Sequence, residues 1–207
     1  MVQDIWKTYN NIKYDILIKD IKIVKDKAIV NLVETSRADI PLSDVYDGEL
    51  NSRAETRYYL EKKRGEWKIV SDDVLSETTY MLYGDARGLD IKLIAPLEIE
   101  ANKDYTATLE FEPPKETLAI ASIASDIVEY PQKPTQEVFR SLPDDNILER
   151  IFTSNNKNAN EYIVASIGIT KTALCNMNIK LTLTGFGYAI QRVNVKPVVT
   201  GECNVKN

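Results

Sequence analysis

The stretch from Ser52 to Glu77, SRAETRYYLEKKRGEWKIVSDDVLSE, constrains the fold more than any other part of the chain. From Arg53 to Glu61 the residues alternate, with Arg53, Glu55, Arg57, Tyr59 and Glu61 on one side and Ala54, Thr56, Tyr58 and Leu60 on the other. A period of two with one less polar side is the pattern of a half-buried antiparallel strand. Lys62, Lys63, Arg64, Gly65 and Glu66 carry a turn in which Gly65 is free to take a positive φ. Trp67, Ile69 and Val70 then restart an apolar strand, so the two strands are expected to pair directly.

The preceding residues extend that sheet. Ile12, Tyr14, Ile16 and Ile18 alternate with Lys13, Asp15, Leu17 and Lys19, and Asp20 to Val24 continues the strand. After a turn at Asp26-Lys27, Ala28, Val30, Leu32 and Glu34 share one side of a second strand, opposite Ile29, Asn31, Val33 and Thr35. Both sides are largely apolar, as expected of a central strand, and Pro41 to Asn51 is a loop rich in turn formers.

Tyr58 to Asp73, with its charged Gly-containing turn, Glu-Trp-Lys-Ile-Val and a run of acids, resembles the last hairpin of the nuclear transport factor 2-like superfamily, which includes the SnoaL-like proteins. Tyr14 to Ile18, Asp20 to Ile23 and Asp26 to Val30 are similar to the strand-turn-strand before that hairpin. The resemblance covers about residues 5 to 78. It implies an α+β first unit, the curved antiparallel sheet of a cystatin-like cone. Such cones open with two helices, a first strand and a third helix; Asp4 to Tyr9 is read as the end of that third helix, so the cone is expected to be N-terminally incomplete or degenerate. The superfamily includes isomerases and dehydratases that work with carboxylates in a cavity, but no catalytic motif carries over to this chain.

Composition narrows the chemistry. Histidine is absent, which removes Ser-His and Cys-His nucleophile pairs, imidazole bases and His-containing metal sites. Carboxylates are left as the ordinary acid-base candidates. The net charge is −5 and neither half is basic, so a nucleic-acid footprint is not expected. No apolar run approaches the roughly 20 residues of a membrane helix, and MVQDIWKTYNN has no signal-peptide core. No cofactor and no metal are expected.

Glu34 is the carboxylate singled out for chemistry, because its parity aligns it with Ala28, Val30 and Leu32 at the mouth of an apolar surface, where its pKa would rise. The alternative is a solvated Glu34, or one paired across the sheet with Arg53 or Arg57. Arg53, Glu55, Arg57 and Glu61 read as a solvated face with cross-strand pairs or as a ligand clamp. Candidate pocket or binding residues are therefore Glu34, Arg53, Arg57 and Tyr58.

Between Thr78 and Pro96 the texture changes, and Gly84 and Gly88 bracket a boundary. The expected division is a sheet unit over residues 1–84, a linker at 85–88 and a second unit over 89–200. The second half is strands and loops: Ile91 to Ile99, Tyr105 to Phe111 ended by Pro113-Pro114, and TLAIASIASDIV from Thr117 to Val128, which suits a helix or a strand and is read as a strand. A short strand follows at Glu137 to Leu142. Ile147 to Thr153 and Glu161 to Lys171 flank the Asn-rich 154–160 as a hairpin loop, and Asn176 to Thr184 and Tyr188 to Val195 pair around Gly185-Phe186-Gly187.

About seven short strands resemble the immunoglobulin-like β-sandwich modules of bacterial envelope proteins. The similar parts are the strand ending in Pro96, Glu98 to Ala101 before Tyr105, and Gly185 to Val195; neither Trp6 nor Trp67 lies in this half. Cys175 and Cys203 are a candidate disulfide, implying an oxidising compartment, or two free thiols; without Cys-x-x-Cys spacing they are not a zinc site.

Two function classes stand. One is a non-catalytic interaction or scaffold module of the bacterial cell envelope. The other is a small-molecule-binding or carboxylate-based enzyme cone, its pocket completed by sequence upstream of residue 1. A toxin-delivery or immunity accessory has no residue behind it. Ile12, Tyr14, Ile16, Ile18, Val30, Leu32, Tyr58, Leu60 and Trp67 give the first sheet a broad apolar surface, expected to be covered in a homodimer or by a protein partner.

Overall fold

The structure, a computed structural model, describes residues 11–40, 46–129, 131–133, 136–175 and 178–198, without the side chains of 174, 175, 178 and 179. Among the described residues it is a mainly β protein built almost wholly from antiparallel strands. In chain order they are β1 (Lys13–Val24), β2 (Lys27–Asp39), β3 (Gly48–Lys63), β4 (Glu66–Gly84), β5 (Lys92–Ile94), β6 (Glu98–Glu100), β7 (Asp104–Glu110), β8 (Thr117–Ile127), β9 (Arg140–Ser141), β10 (Ile147–Thr153), β11 (Glu161–Cys175) and β12 (Asn178–Lys196). The one helical element among the described residues is a 3-10 turn, Asp85–Gly88. Asp4 to Tyr9, Trp6 and Cys203 lie outside the described residues, as does the side chain of Cys175.

The Ser52–Glu77 hairpin forms as the alternation requires. Lys63 and Glu66 face each other across a two-residue turn in which Arg64 and Gly65 both have positive φ, 55° and 87°. A turn of that kind twists the same way as the strands it joins, which lets so long a hairpin stay paired.

One long sheet runs β1-β2-β3-β4-β12-β11-β8-β9, with β6 adding a short parallel pairing to β12. A second sheet, β10-β7-β5, packs against it. The core between them takes Ala121, Ile123, Ile163, Ala165, Ile167 and Val193 from the long sheet and Leu93, Ala107 and Leu109 from the small one, with Phe111 beside them. Burial of side chains the size of Leu109, Ile163 and Phe111 stabilises by about 1.5–3 kcal/mol each. The ambiguous TLAIASIASDIV is β8, and its small residues have a structural reason: the strand is buried on both faces. Ala119, Ala121 and Ile123 face the core, while Ser122 Oγ on the other face accepts a 3.0 Å hydrogen bond from the Val138 amide.

The structure differs from the sequence reading at two joints. The Asn-rich 154–160 is not a hairpin loop, because β10 pairs with β7 in the small sheet while β11 pairs with β8 and β12 in the long one. The segment is a crossover between sheets, tied down by Glu161. The Gly185-Phe186-Gly187 stretch does not separate two strands either, since β12 runs unbroken through it. These glycines make room: a Cβ on Gly185 would lie 2.5 Å from the Ala86 amide nitrogen, and one on Gly187 would lie 2.6 Å from a Leu82 methyl.

The two halves of the chain meet along β4. Its end, Thr78 to Gly84, pairs with Gln191 to Gly185 of β12, and Leu82 and Tyr80 join the core cluster. The 3-10 turn at 85–88 follows immediately, with Ala86 fully buried in the same cluster.

Candidate functional site

Strand register sets the site. Across β1, β2, β3 and β4, one face of the sheet reads in rows from the hairpin tips toward the sandwich. The first row is Ile23, Ala28, Leu60 and Ile69. Next comes Ile21, Val30, Tyr58 and Asp72, and then Ile18, Leu32, Thr56 and Val74. The last two rows are Ile16, Glu34, Ala54 and Glu77, and Tyr14, Ser36, Ser52 and Thr79. This face is therefore apolar at the tip and polar at the base. The opposite face carries Lys22, Asp20, Asp15, Arg57, Glu55 and Arg53.

The polar base is a shallow cleft of about 220 Å³, with Glu34, Tyr14, Ser52, Thr56, Val74 and Glu77 among its lining residues. Both oxygens of Glu34 are occupied. Tyr14 and Tyr58 donate their hydroxyls to Oε1 at 2.9 and 3.1 Å, and Thr56 donates to Oε2 at 2.9 Å. Burial, then the Glu34 charge and hydrogen bond, push the Tyr58 hydroxyl up to about 12. Burial followed by the Glu34 hydrogen bond raises Tyr14 as well. Both phenols thus stay protonated donors at neutral pH, and Glu34 accepts from them and from Thr56.

Glu77, on the far side of the cleft, reaches the sandwich. Its Oε2 accepts the Tyr162 hydroxyl at 3.0 Å and lies 4.0 Å from Arg192 Nη1. Burial, then Glu77, raise the Tyr162 pKa. Beyond Thr78 and Gln191, where the β4–β12 ladder ends, the side chain of Asn194 takes over by donating to the carbonyls of Val74 and Leu75 at 3.1 and 2.9 Å. A polar groove follows the fork, lined by Arg57, Asp72, Asp73, Glu98 and Arg192 among others.

Of the four residues expected from the sequence, the structure brings Glu34 and Tyr58 together and leaves the two arginines on the opposite face. Arg53 lies 3.7 Å from Glu55, and Arg57 donates to Asn31 Oδ1 at 3.0 Å. Neither reaches Glu34, whose cross-strand neighbours are Ile16 and Ala54. Sequence reasoning missed Tyr14, Thr56 and Glu77. Parity alone aligned Thr56 with Tyr58, but placing Tyr14 needs the β1–β2 register, which carries a bulge between Ile18 and Asp20.

A second carboxylate is more deeply set. Glu161 is only 4% exposed and accepts Tyr105 Oη at 2.7 Å, Ser125 Oγ at 3.3 Å, and the amide and side chain of Asn155 at 2.7 Å each. It fixes the crossover between the sheets. Among the described residues no group of His, Cys, Asp or Glu is arranged to hold a metal ion, and no helix is long and apolar enough to cross a membrane.

Comparison with protein-family models, curated proteins and solved structures finds none that this chain matches.

Proposed function

We propose that this chain is a non-catalytic protein-interaction or scaffold module that offers the tip of its β1–β4 sheet to a protein partner. The observation that carries the reading is the tip's apolar face: Ile18, Ile21, Ile23 and Ile69 are all 51–60% exposed on that one side. Exposed apolar residues scattered singly are ordinary, whereas a contiguous patch backed by Val30 and Leu60 marks a contact surface. The cleft beside it favours structure over catalysis, because Glu34 spends its oxygens on three hydroxyls and Glu77 is engaged by Tyr162.

A photo-crosslinking side chain at position 69, compared with one at the still more exposed Ile151 of the small sheet, tests the reading in the cells that make the protein. A discrete protein adduct from position 69 and none from 151 is expected; no adduct from 69, or the same adducts from both, overturns it. Placement at the bacterial cell envelope is proposed from the resemblance of the second half to envelope modules. Cell fractionation tests it, and recovery from the cytoplasm alone overturns it.

A further inference from the structure

The strand β1 is a free edge: among the described residues it pairs only with β2, and every one of its residues from Lys13 to Val24 is exposed. Such an edge presents unpaired amides and carbonyls to any strand that fits. We propose that β1 pairs antiparallel with β1 of a second copy, about a two-fold axis at its bulge. This rests on the reading of the sheet tip as a contact surface and names one occupant of its edge.

The bulge between Ile18 and Asp20 carries the argument. In a regular strand, two-fold antiparallel self-pairing matches faces only when the opposed positions share the same parity. Here the extra residue flips the parity midway, so that Tyr14, Ile16, Ile18, Ile21 and Ile23 all lie on the Glu34 face. Face-matched self-pairing must therefore set odd positions against even ones. With the axis between Ile18 and Lys19, Ile16 faces Ile21 of the second copy and Tyr14 faces its Ile23. On the other face Asp15 lies opposite Lys22, and the symmetry makes that contact twice.

Neighbouring registers are worse. Sliding two residues one way opposes Asp15 to Asp20 and Lys13 to Lys22, which repel. Sliding the other way sets Lys19 against Asp20 but leaves Asp15 opposite Val24 and Lys22 opposite Leu17. Either slide leaves the two strand ends unpaired, whereas the axis between Ile18 and Lys19 pairs all 12 residues of β1. Neither Asp15 nor Lys22 has an ion-pair partner among the described residues, so both are available. Opposed charges across a strand pair favour a register and like charges disfavour it. Lys19 meets its own copy near the axis, the single like-charge contact the arrangement carries.

Sedimentation of the full chain from about 1 to 100 μM, with charge-swapped variants, tests the pairing. The wild type should show a reversible dimer. Asp15→Lys and Lys22→Asp should each weaken it about tenfold, Asp15→Lys/Lys22→Asp together should restore it, and Lys19→Gln should tighten it. All three positions are exposed on an edge, and circular dichroism verifies that each variant folds. A wild type that stays monomeric at 100 μM, or a double variant as weak as the singles, overturns the self-pairing. Neither result touches the position-69 adducts, which report on the sheet's face rather than its edge.

Discussion

The same sheet lives under two regimes. Where β12, β11 and β8 carry it, the small sheet covers one face, and Ser122 and Ser166 on the other are buried beneath the segment holding Glu137 and Val138. Where β1 to β3 and the first part of β4 carry it, no second sheet covers either face among the described residues; Leu32 and Val33 of β2 are buried, while all of β1 is exposed. The difference teaches that strand pairing and strand burial are separable. At the tip, register is held by turns, ladder hydrogen bonds and cross-strand side-chain pairs, which contribute tenths of a kcal/mol to about 1 kcal/mol each. In the sandwich, packing fixes the register, because a one-residue slip would turn the core face outward.

The sharpest way to break this comparison is truncation on the two sides. Phe111→Ala, in the sandwich core, should lower unfolding stability by about 3–5 kcal/mol. Ile23→Ala at the tip should lower it by less than about 0.5 kcal/mol. Urea titration measures both, and equal losses would mean that the tip is covered after all.

Next come the two carboxylates. Glu161→Ala strips a buried acceptor from Tyr105, Ser125 and Asn155 and should remove about 3 kcal/mol. Glu34→Ala frees the hydroxyl of the exposed Tyr14 and leaves only the buried Thr56 without its acceptor, and should cost about 1–2 kcal/mol. A ranking reversed in thermal melts would place the rigid anchor at the tip instead.

Gly187→Val comes third. It forces a side chain against Leu82 where β12 meets β4 and should cost about 1–3 kcal/mol, whereas Gly65→Asn in the tip turn should be nearly neutral.

The smallest effect is in alkaline pH. Tyr58 is raised in the folded state, so its contribution is fully present below pH 10 and is lost as pH rises through about 12. Tyr58→Phe should flatten that part of the stability profile without changing stability at pH 7 by more than about 1 kcal/mol; an unchanged alkaline slope would show that Tyr58 does not titrate with unfolding.

How much was legible beforehand follows from the same contrast. The tip hairpin could be read because its alternation, turn and strand restart are consecutive in sequence. The strand state of 117–127 could be read from the prolines that bound it, against an Ala and Ser content that favours helix. The crossover at 154–160 could not, because five polar turn residues look the same whether the flanking strands pair with each other or with strands far away. The continuity of β12 was hidden for a related reason: glycines that make room for Ala86 and Leu82 mimic glycines that end strands. At the site, Glu34 and Tyr58 were within reach of parity. Glu77 and Tyr162 were not, since their meeting depends on a pairing between β4 and β12 that spans more than a hundred residues.

The long strand β4 also has a mechanical meaning. At about 3.4 Å per residue its 19 residues span roughly 60 Å, hydrogen-bonded to β3 along most of that length but to β12 only at its last stretch. A load applied at the tip is therefore delivered to the sandwich through the short ladder from Thr78 to Gly84. Pulled along the strand, that ladder bears force in shear, with all its hydrogen bonds strained together. Pulled sideways, it opens one rung at a time from Thr78, where the Asn194 clasp on Val74 and Leu75 is the first to give. By this geometry the β4–β12 joint resists a pull along the strand better than one across it, and Asn194, with the Glu77–Tyr162 hydrogen bond beside it, guards the end that would open.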